Sequence, residues 1–148
     1  LNQGISGKRA LFIVLLACYL TVLLILTLFT HNYYTYGKSV NLEIFSSVRL
    51  MLRSRDSLLI LKNVLGNIAL FIPLGFLLPL VSLRMRFFLL TIGCGILFSL
   101  MIETVQYLFA ARIFDIDDLL LNAAGTIIGR FLYSVGRFFR YKVMIFLS

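Results

Sequence analysis

Residues Ala10 to Phe29 read ALFIVLLACYLTVLLILTLF, with no charged side chain and with Lys8-Arg9 immediately before them. About 20 residues of helix are needed to cross about 30 Å of hydrocarbon, so this run is a membrane span by length and by composition. Three more follow. The second extends from about Val64 to Leu83 and stops at Arg84 and Arg86. The third begins at Phe87 and reaches about Phe109, interrupted by Glu103 and Gln106. The fourth runs from about Leu119 to Gly136, holds Arg130, and ends in Arg137, Arg140 and Lys142. Lipid offers no partner to open backbone, so each span must be a closed helix. The expected fold is therefore an all-α integral membrane protein of four transmembrane helices, a single domain over residues 1–148. An interfacial amphipathic segment separates helices one and two.

Composition agrees. The chain is 61% hydrophobic and 14% charged, against about 45–50% and about 25% in soluble domains, and its mean hydropathy is +1.01. A soluble fold of this length buries only about two-thirds of its surface, and the charged side chains are too few to cover the rest. A soluble enzyme, a disordered chain and a disulfide-stapled secreted domain are all excluded. The 14 Lys and Arg against 6 Asp and Glu give +8. The basic residues fall beside apolar runs, which points to anionic lipid and topology rather than to nucleic acid. Cys18 and Cys94 lie within apolar segments and read as small core hydrophobes. Leu15-Leu16-Ala17-Cys18 looks like a lipoprotein cleavage box, but Tyr19 to Phe29 stays apolar where a polar linker would follow. An uncleaved first helix is the expectation.

The positive-inside rule puts both termini in the cytoplasm, beside Lys8-Arg9, Arg84/Arg86 and the basic tail. The segment from Thr30 to Lys62 then faces outward, although it carries Lys38, Arg49, Arg53, Arg55 and Lys62 against Glu43 and Asp56. Arg49 and Arg53 share a helix face, with Val48 and Leu52 on an adjacent apolar one. A helix lying on the outer leaflet follows, either as a structural collar or as a basic lip for an anionic lipid-linked substrate. His31, at the outer end of the first span, reads as an interfacial residue. In the second span Pro73 and Pro79 lack the N–H that Ala69 and Gly75 would receive. A kink there would open a cleft toward span three or four.

Polar residues inside a bundle are costly unless paired, so their depth is informative. Asn63 and Asn67 are four apart at the outer end of span two. Glu103 and Gln106 share a face of span three, and Glu103 lies about 9 Å below Phe109 at about 1.5 Å per residue. Arg112-Ile113-Phe114-Asp115-Ile116-Asp117-Asp118 forms the outer loop, and Asp118, Asn122, Gly125 and Gly129 continue as one helical stripe on span four. The small residues would let another helix approach closely. Two readings of the cluster stand. In one it is internal glue, with Arg112 paired to Asp115 or Glu103. In the other it is a pocket, with Glu103 as catalytic acid or base and Asn63, Asn67, Gln106, Arg112, Asp115, Asp117, Asp118 and Asn122 as binding residues. No organic cofactor is expected. Asp115, Asp117 and Asp118 could gather a divalent cation, but no established ligand spacing accompanies them, and the metal assignment stays open. No nucleophile elbow, phosphate-binding loop or zinc-binding helix motif is present.

The run from Asn63-Val64-Leu65-Gly66-Asn67 through Phe71-Ile72-Pro73-Leu74-Gly75-Phe76 to Pro79 resembles the VanZ-like family. So do Ile102-Glu103-Thr104-Val105-Gln106, the Arg112 to Asp118 block, and Asn122 with Gly125. The resemblance covers roughly Asn41 to Gly136. One departure is Asn41-Leu42-Glu43-Ile44-Phe45, where the family often has an Asn-Leu-Ile-Pro-Phe-like stretch. The family takes its name from a bacterial membrane protein associated with low-level teicoplanin resistance, and the resemblance implies no defined reaction. It implies characteristic polar positions at Asn67, Glu103, Gln106, Arg112, Asp115, Asp118 and Asn122. It also implies a multi-pass cell-membrane protein whose partners are membrane lipids and a lipid-linked cell-wall component or glycopeptide-related target. The alternatives are an enzyme acting on a lipid-linked substrate and a noncatalytic assembly or lipid-binding module. Oligomeric state is not specified.

Overall fold

The structure is a computed structural model that describes residues 2–29, 39–109 and 112–146. His31, Lys38 and Ser148 fall outside them. Six helices and two short bridging strands follow in order: α1 (Asn2–Phe29), β1 (Val40–Asn41), α2 (Ser46–Ser54), α3 (Ser57–Ile60), α4 (Gly66–Val81), α5 (Phe88–Phe109), β2 (Phe114–Asp115) and α6 (Ile116–Phe146). A π-helical turn over Leu61–Leu65 joins α3 to α4. Four stretches are long and apolar enough to span a membrane: Gly7–Leu28, Ser57–Val81, Phe88–Phe109 and Ile116–Lys142.

Two boundaries differ from the sequence reading. The second span starts at Ser57, because Asp56 accepts the N–H groups of Leu58 and Leu59 at 3.0 and 3.2 Å and so starts the helix seven residues early. The last helix starts at Ile116, because Asp115 just before it accepts the Asp117 N–H at 2.9 Å and Asp117 and Asp118 place negative charge in its first turn; it runs through Gly136 to Phe146. Gly136 keeps helical geometry, so the helix continues into the basic stretch Arg137, Arg140 and Lys142.

The interior is unusual in what it buries. Among the described residues, the buried hydrophobic side chains are Leu23, Phe71, Leu74, Ile102 and Tyr133, while Thr91, Ser99, Glu103, Gln106, Asp117, Asn122, Thr126 and Arg130 are buried polar or charged ones. Large apolar side chains such as Leu89, Leu97 and Phe109 point outward. Lipid solvates that exterior and cannot solvate the interior polar groups, which therefore meet one another. Cys18 belongs to the outside too: it is exposed rather than packed in the core, and Cys94 is half-buried.

α4 and α6 form the closest helix pair, and the glycines explain it. A methyl group added at Gly125 or Gly129 would strike the carbonyl oxygen of Ile68 or Ile72, and one at Gly75 would strike that of Thr126. Gly95 of α5 leaves room for the Thr126 side chain in the same way. α1 packs outside this trio. Its Tyr19 hydroxyl donates to the Leu70 carbonyl at 2.5 Å, next to the carbonyl that Pro73 leaves without a helical donor. The hollow beside Pro73, about 400 Å³, opens toward α1 rather than toward α5 or α6 as expected; Tyr19, Val22, Leu23 and Leu26 form its far wall.

Candidate polar site at one end of the bundle

A parallel bridge pairs Val40 with Phe114 and Asn41 with Asp115. It ties the chain entering α2 to the chain entering α6, at the end of the bundle where α5 finishes. The side chains there are organised by Asp115. Its Oδ1 accepts the Asn41 Nδ2 at 3.2 Å and the Asp117 N–H at 2.9 Å, and its Oδ2 accepts the Ser47 hydroxyl. Asn41 also reaches Ser46 and Ser47 at 2.8 and 3.0 Å.

Asp117 is 1% exposed and turned toward α2. Its Oδ1 accepts the N–H of Phe45 at 2.5 Å, and its Oδ2 accepts those of Ser47 and Val48 at 3.0 and 3.2 Å. The first turn of α2 has no cap of its own, because Phe45 precedes it in the left-handed region at φ 61 and offers no side-chain oxygen. A carboxylate from α6, about 70 residues away in sequence, supplies what the missing cap leaves undone. The α2 entry therefore turns at Phe45, directly after Ile44, where the resemblance would place a proline.

Gln106 and Arg112 share another task. Gln106 Nε2 and Arg112 Nη1 donate to the same carbonyl, that of Thr27, at 2.7 and 3.1 Å. Thr27 sits in the last turn of α1, where carbonyls lack intrahelical donors. Arg112 thus makes its hydrogen bond to the end of a helix, not to Asp115 or Glu103 as the glue reading supposed. Asn63 stays apart from the cluster and donates to the Leu59 carbonyl of its own helix at 2.9 Å.

The remaining polar residues are less fully engaged. Among the described residues, Glu103, 4% exposed, accepts one hydrogen bond, a long one from the Asp115 N–H at 3.4 Å. It lies within electrostatic reach of Asp118, Asp115 and Arg112. Asp118 Oδ1 accepts the Asn67 Nδ2 at 2.6 Å. One turn deeper, Asn122 donates to the Ser99 hydroxyl at 2.8 Å while its Oδ1 is buried without a partner. Glu103, Asp118, Asn67 and Asn122 are thus the groups with hydrogen-bonding capacity to spare. Among the described residues, no three His, Cys, Asp or Glu side chains are arranged to hold a metal ion. With Asp117 drawn away toward α2, the three aspartates do not converge on one point.

Asn41, Ser47 and Ser99 were missed by the sequence reading. Asn41 carries no local signal for its role, since its partner Asp115 is 74 residues on. Ser47 and Ser99 carry no local pattern, since their partners come from other elements. The family model for VanZ/LLP1 matches residues 12–140. No curated protein and no solved structure matches the chain. The match takes in most of α1, the bridge, α4, α5, most of α6 and every residue of the polar site, and on that ground the protein belongs to the VanZ/LLP1 family.

Proposed function

We propose that this protein is a cell-membrane protein with both termini in the cytoplasm, that it handles a lipid-linked envelope component from the outer leaflet, and that it thereby alters how the surface meets glycopeptides such as teicoplanin. The observation that carries the reading is the pair Glu103 and Asp118. Each is a carboxyl group held inside the bundle with few partners, next to amides that can orient a polar headgroup. Buried ionisable groups in membrane helices are costly to keep, which makes an under-used pair a candidate for binding or for proton transfer. The basic α2 beside this end supports the same reading, since its Arg49 and Arg53 suit the anionic group of a lipid-linked substrate.

The test is a deletion strain complemented with wild type or Glu103→Gln, profiled for membrane lipids and cell-wall precursors and scored for teicoplanin and vancomycin tolerance. The expected outcome is a lipid-linked species that changes on deletion and returns only with wild type. Teicoplanin tolerance, measured at verified membrane expression, should move more than vancomycin tolerance. Unchanged lipid and precursor profiles in every strain would defeat the proposal.

A noncatalytic assembly role is the second reading. Gln106, Arg112 and Asp117 favour it, because all three spend their hydrogen bonds on backbone groups of neighbouring helices.

A further inference from the structure

The opposite end of the bundle holds a buried guanidinium that the polar site does not use. Arg130 of α6 is 8% exposed. A guanidinium has five N–H donors and no acceptor. Here Nη2 gives one to the Arg86 carbonyl at 2.5 Å, and Nη1 gives one to the Ser134 hydroxyl. Among the described residues no acceptor reaches the buried Nε. The group lies over the Tyr133 ring, 5.2 Å from its centroid. All these partners are neutral. Every acidic residue of the chain falls between Glu43 and Asp118, in the other half of the bundle. A charge stripped of water and given no counter-charge is costly to bury.

Beside it lies an open hollow of about 540 Å³ along α6, lined by Arg130, Tyr133, Ser134, Arg137, Phe138, Arg140 and Tyr141. These positions recur along one face of α6. They border the space from one side with three cations, a hydroxyl, two phenolic rings and the apolar ring of Phe138. The planar fork of an arginine matches the oxygens of a phosphate, and pairing of that kind is stronger than with a neutral acceptor. We propose that this cavity binds a phosphate-bearing anion whose charge balances Arg130. The group is carried either by an anionic lipid headgroup or by a free phosphate. The assignment does not depend on the function proposed for Glu103 and Asp118.

The full-length protein in detergent is incubated with phosphatidylglycerol, with phosphatidylcholine of the same acyl chains, or with sodium phosphate against sodium chloride at equal ionic strength. Bound lipid is read by native mass spectrometry, and ion binding is read by the thermal midpoint. Phosphatidylglycerol should be held about tenfold more tightly than phosphatidylcholine, and Arg137→Gln with Arg140→Gln should remove about that factor. Those two side chains are exposed, so the double variant tests the cavity without disturbing the buried helix contacts. Arg130→Gln should abolish the preference, and if it fails to fold the double variant decides. A midpoint rise with sodium phosphate that the double variant loses, without any lipid preference, would support the site with free phosphate as its source. Equal retention of the two lipids with no phosphate-specific shift would overturn the proposal. So would a preference that persists in the double variant.

Discussion

At Gly125 one carbon atom decides whether two membrane helices can meet. The Ile68 carbonyl occupies the space where a methyl group would go, and backbone cannot rotate aside as a side chain can. Gly125→Ala should therefore lower stability by about 1–3 kcal/mol, the usual cost of overpacking, read as a lower thermal midpoint in detergent. Gly136→Ala is the control, because nothing lies within 4 Å of a methyl group there; its midpoint should stay or rise slightly, as alanine favours helix. A different comparison applies to Glu103. Glu103→Gln keeps shape and hydrogen-bonding capacity while removing titration and negative charge. Loss of the deletion-complementing activity at unchanged protein abundance is the expected result, with Glu43→Gln in the α2 approach fully active. If activity instead falls in step with abundance, Glu103 serves packing rather than function.

Among the elements, α2 is held from outside itself. It buries none of its residues, and it is bounded by two non-glycine residues in the left-handed region, Phe45 at φ 61 and Arg55 at φ 56. Such backbone persists only where the surroundings over-determine it. At Phe45 the three N–H groups given to Asp117 are that determination. Asp117→Asn leaves one carbonyl oxygen and points an amide N–H toward donors, and Asp117→Ala removes both acceptors. Loss of such a cap costs about 0.5–2 kcal/mol. Both variants should therefore be cut faster by trypsin at Arg49 and Arg53, with cleavage elsewhere unchanged. Equal cleavage in wild type and variants would mean that α2 is held by its apolar face alone. The four spans and the small-residue face of α6 were legible in the sequence because runs of apolar residues and helical spacing are local patterns. The role of Asp117 was not, since nothing near it in sequence says that its partners are Phe45, Ser47 and Val48. Asp115, Asp117 and Asp118 look like one cluster when read along the chain. Folding sends one to a helix start, one to a bridge with Asn41, and one to Asn67 on α4.

Over the whole molecule the charges separate along the bundle axis. Lys8, Arg9, Arg84, Arg86, Arg130, Arg137, Arg140 and Lys142 belong to the end with the termini, where the sequence has no acid at all. Of the others, Arg49, Arg53, Arg55, Lys62 and Arg112 share the opposite end with all 6 acidic residues, so positive charge in excess is concentrated at the terminal end. Orientation is set by Lys and Arg near the span ends rather than by net charge, and Asp and Glu contribute little. By that count the two ends differ only modestly, because Arg49, Arg53 and Arg55 oppose the termini. A second force breaks the near tie: anionic lipid of the cytoplasmic leaflet attracts basic residues near the surface by about 1 kcal/mol each, and at the terminal end no carboxylates offset it. The Arg9 Nε also donates to the Val81 carbonyl at 3.1 Å, fixing the start of α1 to the end of α4 on this same side. Cysteine labelling in intact cells and in permeabilised ones tests the result at two exposed positions, Leu83 in the α4–α5 connection and Glu43 before α2. Leu83→Cys should react with a membrane-impermeant thiol reagent only after permeabilisation, and Glu43→Cys should react in intact cells. The reverse pattern would invert the bundle and place the Glu103 end in the cytoplasm. A lipid-linked component of the outer leaflet could not then reach it, although every contact within the bundle would stay the same.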